Sequence, residues 1–286
     1  MTPFQGVLTA MVTPFSDDGS LDAAGARKLA SYLVENGSHG VVVAGTTGES
    51  PTLSDDEKIE LLEVVLDEIG SESTVICGTG SNDTRHTANL THRAAKAGAH
   101  GVLVVAPYYN RPTEDGLRAH YAEVSEAAGE TPVALYNIPS RSVINMSPEF
   151  IGSLAAQFGN IVGLKQANNA EIGPIAGVAM LAGNDDVFTR CLREGGAGGV
   201  LVASHVVGPQ MREIYDAAMD DEHDRALGID RDLAGVYAAL AGAPAASSVK
   251  AVLAMRGLIG ETQRLPMVPV TGEARGPLEE LAEATQ

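Results

Sequence analysis

Eight short apolar runs, separated by segments with helical spacing, constrain the fold of this chain more than any other feature. The runs span residues 7–12, 40–44, 74–77, 101–105, 132–136, 161–165, 178–182 and 199–203. Their β-branched, uninterrupted apolar composition is typical of strands buried on both faces. Helix start signals lie between them, such as Ser54 followed at the third position by Glu57. Alternation of this kind through the chain predicts a parallel sheet, and eight units are the number that closes it into a (β/α)8 TIM barrel.

A doubly wound open sheet is the alternative that the same alternation allows. However, no GxGxxG motif opens a helix after the first run, and no GxxxxGK[ST] motif occurs anywhere. After the eighth run the chain is Ala-rich and helix-forming, with no convincing further strand. We therefore predict an α/β barrel domain over residues 1–223 and a small C-terminal helical segment over residues 224–286. Pro266 and Pro269 should interrupt helix near the end of that segment.

Charge and hydropathy exclude several classes of protein. The formal net charge is −18, from 37 acidic and 19 basic residues, so the chain would repel a phosphate backbone and we expect no nucleic-acid partner. No segment approaches 18 uninterrupted apolar residues, and the first ten residues lack the pattern of a signal peptide. The two cysteines, Cys77 and Cys191, show no CxxC spacing and are expected to be reduced. We expect a cytoplasmic protein without a membrane partner.

Lys165 is the first candidate for chemistry. In a barrel of this kind the carboxyl ends of the strands form the active face. The chain has only five lysines, and Lys165 alone ends an apolar run directly, so we expect it to be the one lysine directed at the barrel interior. Burial of a lysine amine favours its neutral form, which can attack a ketone. The alternative is a lysine whose stem packs on the barrel rim while its ammonium group reaches solvent.

Residues 45–50, Gly-Thr-Thr-Gly-Glu-Ser, follow the second run and form a candidate anion site. Their glycines let the backbone turn so that amides and two hydroxyl groups converge on a small carboxylate. An ordinary turn ending in a helix cap is the alternative. The fourth and fifth runs are followed or ended by tyrosines, including Tyr109 and Tyr136, whose phenols either relay protons or simply pack.

Two further loops carry polar residues. Arg141 follows the fifth run, and its planar guanidinium group suits bidentate binding of a carboxylate, although a surface position is commoner for arginine. Gly183, Asn184 and Asp185 end the seventh run, where they either contact substrate or cap the next helix. The seven histidines show no HxH or HExxH spacing, so we expect no catalytic metal.

Taken together, these motifs resemble the dihydrodipicolinate synthase and N-acetylneuraminate lyase superfamily in order and spacing over nearly the whole chain. The matching segments are 45–50, 107–112 (Pro-Tyr-Tyr-Asn-Arg-Pro), 136–141 (Tyr-Asn-Ile-Pro-Ser-Arg) and Lys165, with further matches at 12–15, 183–185 and 264–267. The resemblance implies a class I aldolase in which Lys165 forms an imine with pyruvate. Thr46, Tyr109 and Tyr136 would relay protons, with Tyr136 as the principal shuttle.

The same resemblance implies the substrate contacts. Thr47, with the amides of Thr46 and Thr47, would hold the pyruvate carboxylate, and Arg141 would bind the carboxylate of the second substrate. The backbone carbonyl of Leu201 and the residue Gly183 would line the site. No metal or organic cofactor is required. Tyr109 would reach into a neighbouring subunit's site, which implies a homo-oligomer, commonly a tetramer built as a dimer of dimers.

Thr47 and Arg141 favour a small second substrate that carries a carboxylate. The expected reaction is therefore condensation of pyruvate with aspartate 4-semialdehyde to 4-hydroxy-tetrahydrodipicolinate, in the lysine and diaminopimelate pathway. An aldolase acting on a sugar acid, of the 2-keto-3-deoxy acid or N-acetylneuraminate type, is the alternative within the superfamily. A barrel that has lost catalysis and serves as a sensor or scaffold is the alternative of another class.

Several residues depart from the superfamily's common pattern. Gln166 stands where an acidic residue often follows the lysine, Asn184 replaces the usual first aspartate of Gly-Asp-Asp, and residues 245–248 replace a proline-containing stretch. Lys58 and His86 stand where lysine-inhibited relatives carry a histidine and a glutamate. The resemblance therefore implies weak or absent feedback inhibition by lysine.

Overall fold

A closed barrel of eight parallel strands forms the centre of the computed structural model, which describes residues 2–285. The strands are β1 (Gly6–Ala10), β2 (Gly40–Val43), β3 (Thr74–Gly78), β4 (Gly101–Val105), β5 (Val133–Asn137), β6 (Ile161–Gln166), β7 (Ala179–Ala182) and β8 (Gly198–Leu201). Each strand pairs with its neighbour in sequence, and β8 pairs with β1 to close the barrel. The predicted fold class is confirmed, because every predicted apolar run overlaps one of these strands.

Helices surround the barrel and continue beyond it. The first eight are α1 (Ala23–Glu35), α2 (Asp55–Ile69), α3 (Thr84–Lys96), α4 (Glu114–Ala128), α5 (Pro139–Ser142), α6 (Pro148–Gln157), α7 (Phe188–Arg193) and α8 (Gly208–Met219). The start signal predicted for α2 forms a complete capping box, because the Ser54 side chain accepts from the Glu57 amide and the Glu57 carboxylate accepts from the Ser54 amide. The short helix α5 lies in the loop after β5, where it carries Arg141.

The alternation of strand and helix fails at one place, between β6 and β7. Residues 167–178 contain a single 3-10 turn, Asn169–Glu171, and no α-helix. The Asn168 side chain caps that turn, and Gly173 and Pro174 follow it closely, so the segment cannot extend into a helix. Ile172 from this connection is buried in the outer core instead. The sequence-based expectation of helix in every crossover was therefore wrong here.

Side chains of alternate strand positions fill two separate apolar layers. Leu8, Val42, Ile76 and Leu103 point into the barrel, while their neighbours Val7, Val41, Val75 and Val102 pack against the helices. At the amino-terminal end of the barrel, Phe4 closes the interior. A β-carbon at Gly163 would collide with its ring, which explains a glycine within β6. The opposite end of the barrel remains open to a cavity.

Four helices form the C-terminal segment: α9 (His223–Asp232), α10 (Ala234–Ala241), α11 (Ala245–Met255) and α12 (Arg275–Ala284). The helix α9 follows α8 after three residues, and the predicted boundary between residues 223 and 224 stays a prediction. Within residues 2–285, no single helix is long and apolar enough to span a membrane, and only the pair α10 and α11, bent by 110°, meets that length and composition together.

Candidate active site

A cavity of about 640 Å³ opens at the carboxyl ends of the barrel strands. Its floor is formed by inward-facing strand residues, among them Ala10, Val42, Leu103 and Val200. Four of the predicted site residues line its walls, namely Lys165, Tyr136, Thr46 and Arg141. The active face predicted from the fold is therefore the face that carries the cavity.

Lys165 lies at the end of β6 and points into this cavity. Its side chain is buried, with a relative exposure of 6%, because Lys165 lies within β6 at a position that faces the inside of the barrel. Lys165 is in register with Tyr136 on β5, and its Nζ atom lies 4.5 Å from the centre of the Tyr136 ring. The prediction of an interior lysine is confirmed, and the alternative of a solvent-directed ammonium group is excluded.

Asp185 stabilises the wall next to Lys165. Its carboxylate accepts hydrogen bonds from the amides of Val202 and Ala203 at 2.9 and 3.1 Å. Burial raises the pKa of Asp185, and those two amides and the charge of Lys165 oppose the rise. The bonds fix the backbone that directly follows Leu201 on β8, so Asp185 joins the β7 and β8 ends of the cavity. The sequence predicted that residues 183–185 either contact substrate or cap the next helix, and it did not indicate this link from Asp185 to the end of β8.

The loop at residues 45–50 turns sharply at the mouth of the barrel. Ala44 and Glu49, at either side of the threonine pair, adopt left-handed backbone conformations with φ values of 52° and 55°. The Thr13 hydroxyl donates to the carbonyl of Gly48 at 2.6 Å and holds the loop against the chain after β1. Thr46 faces the cavity, whereas Thr47 is buried beside it. The loop therefore presents one hydroxyl group directly to the space above Lys165.

Arg141 stands at the opposite wall, on α5. The structure of residues 2–285 gives its side chain no ion pair and no hydrogen bond, and the residue is exposed within the cavity lining. Its helix is held by Ser142, whose hydroxyl oxygen lies 2.9 and 3.0 Å from the carbonyl oxygens of Ile138 and Ile144 and can donate its proton to either of them. A guanidinium group that is held on a short helix and has no internal partner is available to a carboxylate ligand.

The remaining predicted residues lie outside the cavity lining. Tyr109 is 88% exposed, with a φ of 71°, and it is Tyr108 that borders the cavity within this chain. The Leu201 side chain packs in the outer core, so only its backbone faces the β8 end of the site. Gly183 sits tightly beside β6, where a β-carbon would lie 2.7 Å from the carbonyl of Gln166. The predicted role of Tyr109 in a neighbouring subunit stays a prediction.

Two more lysines are buried than the sequence indicated. Lys58 lines the outer end of the same cavity, with its Nζ 3.7 Å from Asp55, and His86 Nε2 lies 2.8 Å from the same carboxylate. Lys250 is fully buried on α11. Both lie on helices, so Lys165 is still the one lysine on a barrel strand, but no pattern in the sequence indicated that these two are buried. Lys165 differs from the other two because no carboxylate within residues 2–285 lies within ion-pair distance of its amine.

Sequence reasoning missed a buried amide network behind the site. The Asn137 amide donates to Gln166 Oε1 at 3.0 Å and to Asn145 Oδ1 at 2.9 Å, and Asn137 Oδ1 accepts from the Met146 amide at 3.1 Å. Asn137 and Gln166 directly follow Tyr136 and Lys165, so their side chains point out of the barrel. That strand alternation was the available signal. The network ties the end of β5 to the end of β6, and so fixes the phenol relative to the amine.

The whole described chain fits a known family. Residues 3–285 match the sequence model of the Dihydrodipicolinate synthetase family. The chain belongs to this family. The resemblance inferred from the motifs is thereby confirmed, and with it the assignment to a family of lyases of lysine and diaminopimelate biosynthesis.

Individual relatives agree with the family over nearly their full length. A 4-hydroxy-tetrahydrodipicolinate synthase from Symbiobacterium thermophilum is 44% identical over 293 residues, which cover 99% of each chain. A crystal structure of a dihydrodipicolinate synthase from Bacillus anthracis superposes with a TM-score of 0.94 at 37% identity, covering 99% of each chain. A structure described as the first monomeric dihydrodipicolinate synthase variant also superposes with a TM-score of 0.94, at 35% identity over 99% of this chain and 97% of that one.

No metal centre accompanies the site among the described residues. Within residues 2–285, no group of three or more histidine, cysteine or acidic side chains is arranged to hold a metal ion. Both cysteines are buried and unpaired, and burial raises the pKa of each thiol to about 12. These thiols are therefore poor nucleophiles, and neither cysteine lines the cavity.

Proposed function

We propose that this protein is a pyruvate-dependent class I aldolase that condenses pyruvate with aspartate 4-semialdehyde to 4-hydroxy-tetrahydrodipicolinate. The observation that carries the proposal is the buried amine of Lys165, which lines the cavity together with Tyr136 and Thr46 and has no ion-pair partner in the part of the chain that the structure describes. The names of the relatives at 43–44% identity support the same activity. Family and site thus agree on one reaction in lysine and diaminopimelate biosynthesis.

The chemistry follows from an amine meeting a keto acid. Lys165 attacks C2 of pyruvate and water leaves, which gives an imine. The imine nitrogen withdraws electrons, so a proton leaves C3 and an enamine forms. C3 then attacks the aldehyde carbon of aspartate 4-semialdehyde, whose oxygen takes up a proton. The amine of that substrate finally attacks C2, which closes the ring and releases Lys165.

Proton transfer is assigned to hydroxyl groups around the amine. The Tyr136 phenol is the principal shuttle, because its ring already lies against the Lys165 side chain. Thr46 faces the same space and extends the relay. The third member is Tyr109, which is exposed outside this chain's own cavity lining and would act in the site of a neighbouring subunit. We therefore propose a homo-oligomer, a tetramer built as a dimer of dimers.

Substrate carboxylates are assigned to opposite walls. Thr47 and the amides of Thr46 and Thr47 hold the pyruvate carboxylate within the strained loop. Arg141 binds the carboxylate of aspartate 4-semialdehyde, since its guanidinium group has no partner among residues 2–285. The carbonyl of Leu201 and the backbone at Gly183 complete the site. The mechanism needs no metal or organic cofactor, and we place the protein in the cytoplasm.

Turnover assays test the substrate assignment. Pyruvate with aspartate 4-semialdehyde should give the heterocyclic product, and Lys165→Ala should abolish its formation. Cleavage of 2-keto-3-deoxy sugar acids or N-acetylneuraminate should be slow or absent by comparison. Rapid cleavage of a sugar acid with no heterocyclic product would make the sugar-acid aldolase the favoured activity and refute the proposed condensation. A wild-type protein inactive in both assays would favour the sensor or scaffold alternative.

A further inference from the structure

A fully buried ion pair lies beneath the loop at residues 45–50. Lys250, on α11 of the C-terminal segment, donates from Nζ to Glu49 Oε1 at 2.5 Å, and the two side chains are 0% and 1% exposed. The same amine donates to the carbonyl of Thr262 at 2.8 Å. Glu49 Oε2 accepts from the Arg264 amide at 3.1 Å. Both carboxylate oxygens of Glu49 are thus held by the C-terminal segment.

The ion pair is part of a larger buried assembly around Phe15. Lys250 Nζ and Arg264 Cζ lie 4.3 and 4.4 Å from the centre of the Phe15 ring. The Arg264 guanidinium group also donates to the carbonyls of Gly19 and Thr52 at 2.9 and 2.8 Å. Residues 12–15 and 264–267 match the superfamily but have no part in the proposed chemistry. The structure shows that both segments meet under the threonine loop.

Burying this ion pair costs free energy of desolvation, so its function is better sought in the geometry that it fixes than in net stability. Burial lowers the pKa of Lys250, and the bond to Glu49 opposes that shift. A buried pair often contributes little net stability, because desolvation offsets the attraction between the charges. The Glu49 backbone meanwhile holds a left-handed conformation with φ of 55°. Such a conformation costs roughly 1–3 kcal/mol and persists only where the surroundings enforce it.

We propose that the Glu49–Lys250 pair is a positioning device that holds the Thr46–Thr47 turn in the shape that binds the pyruvate carboxylate. This inference rests on the proposed function. Neither Glu49 nor Lys250 lines the cavity, so both act through the loop and are positioning residues. Through this pair, a helix outside the barrel sets the affinity of the barrel's site for one of its two substrates.

The experiment compares variants by their kinetics with each substrate. The double variant Glu49→Gln/Lys250→Met removes both charges while keeping the side-chain lengths, so no unpaired buried charge remains. Glu49→Gln alone leaves the buried Lys250 ammonium group without a counter-charge and is therefore the harsher variant. Lys28→Met is the matched control, because Lys28 also joins the barrel to the C-terminal segment, donating to the Gly257 carbonyl at 2.9 Å, but from an exposed position away from the loop.

The double variant should change the KM for pyruvate much more than the KM for aspartate 4-semialdehyde. We expect the KM for pyruvate to rise on the order of tenfold in the double variant, and at least as much in Glu49→Gln, because a displaced turn misplaces the carboxylate site. The KM for aspartate 4-semialdehyde should stay within about twofold, since Arg141 lies on another loop, and the control should match wild type in both. A disturbance that merely loosened the fold would raise both constants together.

Three results would overturn the inference: a double variant with an unchanged KM for pyruvate, an equal rise in both constants, or a double variant that does not fold. The last would make the pair a requirement of the fold. Wild-type protein that fails to turn over pyruvate would instead refute the proposed function itself. The two failures are therefore distinguishable in the same set of assays.

Discussion

Replacing Arg141 with alanine should weaken the use of aspartate 4-semialdehyde while leaving imine formation with pyruvate intact. Arg141 has no internal partner within residues 2–285 and lies exposed in the cavity wall. Its loss should therefore leave the free energy of unfolding unchanged and appear only in substrate use. A hydrogen bond to a charged group contributes roughly 1.5–3 kcal/mol, and solvent in the open cavity favours the lower half of that range. We expect kcat/KM for the semialdehyde to fall roughly 12- to 40-fold.

The assay measures kcat/KM for the semialdehyde at saturating pyruvate, together with the midpoint of thermal unfolding. Arg141→Lys should lie between alanine and wild type, because a lysine keeps the charge but loses the bidentate geometry. Arg193→Ala is the matched control, since Arg193 is an exposed arginine on α7 outside the cavity lining. An Arg141→Ala variant with wild-type kinetics would refute the assignment of the second carboxylate to this wall.

Three further predictions concern stability and regulation. Burial lowers the pKa of His205 to about 4 from 6.5, so the unfolded chain takes up the proton first as the pH falls. The contribution of this residue to the free energy of unfolding should therefore drop by roughly 3 kcal/mol between pH 6.5 and 4. Urea unfolding of His205→Gln should be less pH-dependent than that of the wild type over this range. Val143 is β-branched with φ of 64°, so Val143→Gly should raise the free energy of unfolding by about 1 kcal/mol, read from the urea midpoint. Lysine should inhibit turnover weakly or not at all, because Lys58 and His86 contact Asp55 at the outer end of the cavity; strong inhibition at sub-millimolar lysine would contradict this.

The fold and the centre of the site follow from local patterns in the sequence. Each strand is a short apolar run, and strand alternation decides which side chains enter the barrel. Lys165 and Tyr136 could be placed because each ends such a run, and the barrel brings all strand ends to one face. Arg141 and Thr46 could be placed because they follow strands directly. Their distances from one another could not be inferred, because these depend on loop conformations such as the left-handed backbone at Glu49.

The features that escaped prediction depend on long-range contacts or on small local exceptions. Lys250 and Glu49 are 201 residues apart, and no periodicity links a helix of the C-terminal segment to a barrel loop. No α-helix forms at residues 167–178, between β6 and β7, because the short connection contains Gly173 and Pro174. The regular alternation elsewhere in the chain suggests a helix there as well. The role of Tyr109 stays a prediction, because its side chain is 88% exposed and lies outside this chain's own cavity lining.

Reduction with borohydride in the presence of pyruvate tests the central claim most directly. Imine formation at Lys165 predicts that the peptide carrying this residue gains the mass of pyruvic acid less one oxygen atom, and that Lys165→Ala removes the adduct while Lys58→Ala does not. Because Lys58 is the other lysine in the cavity lining, it is the matched control. A reduced adduct on Lys58, or no adduct on any lysine of a protein that turns over pyruvate, would contradict the account.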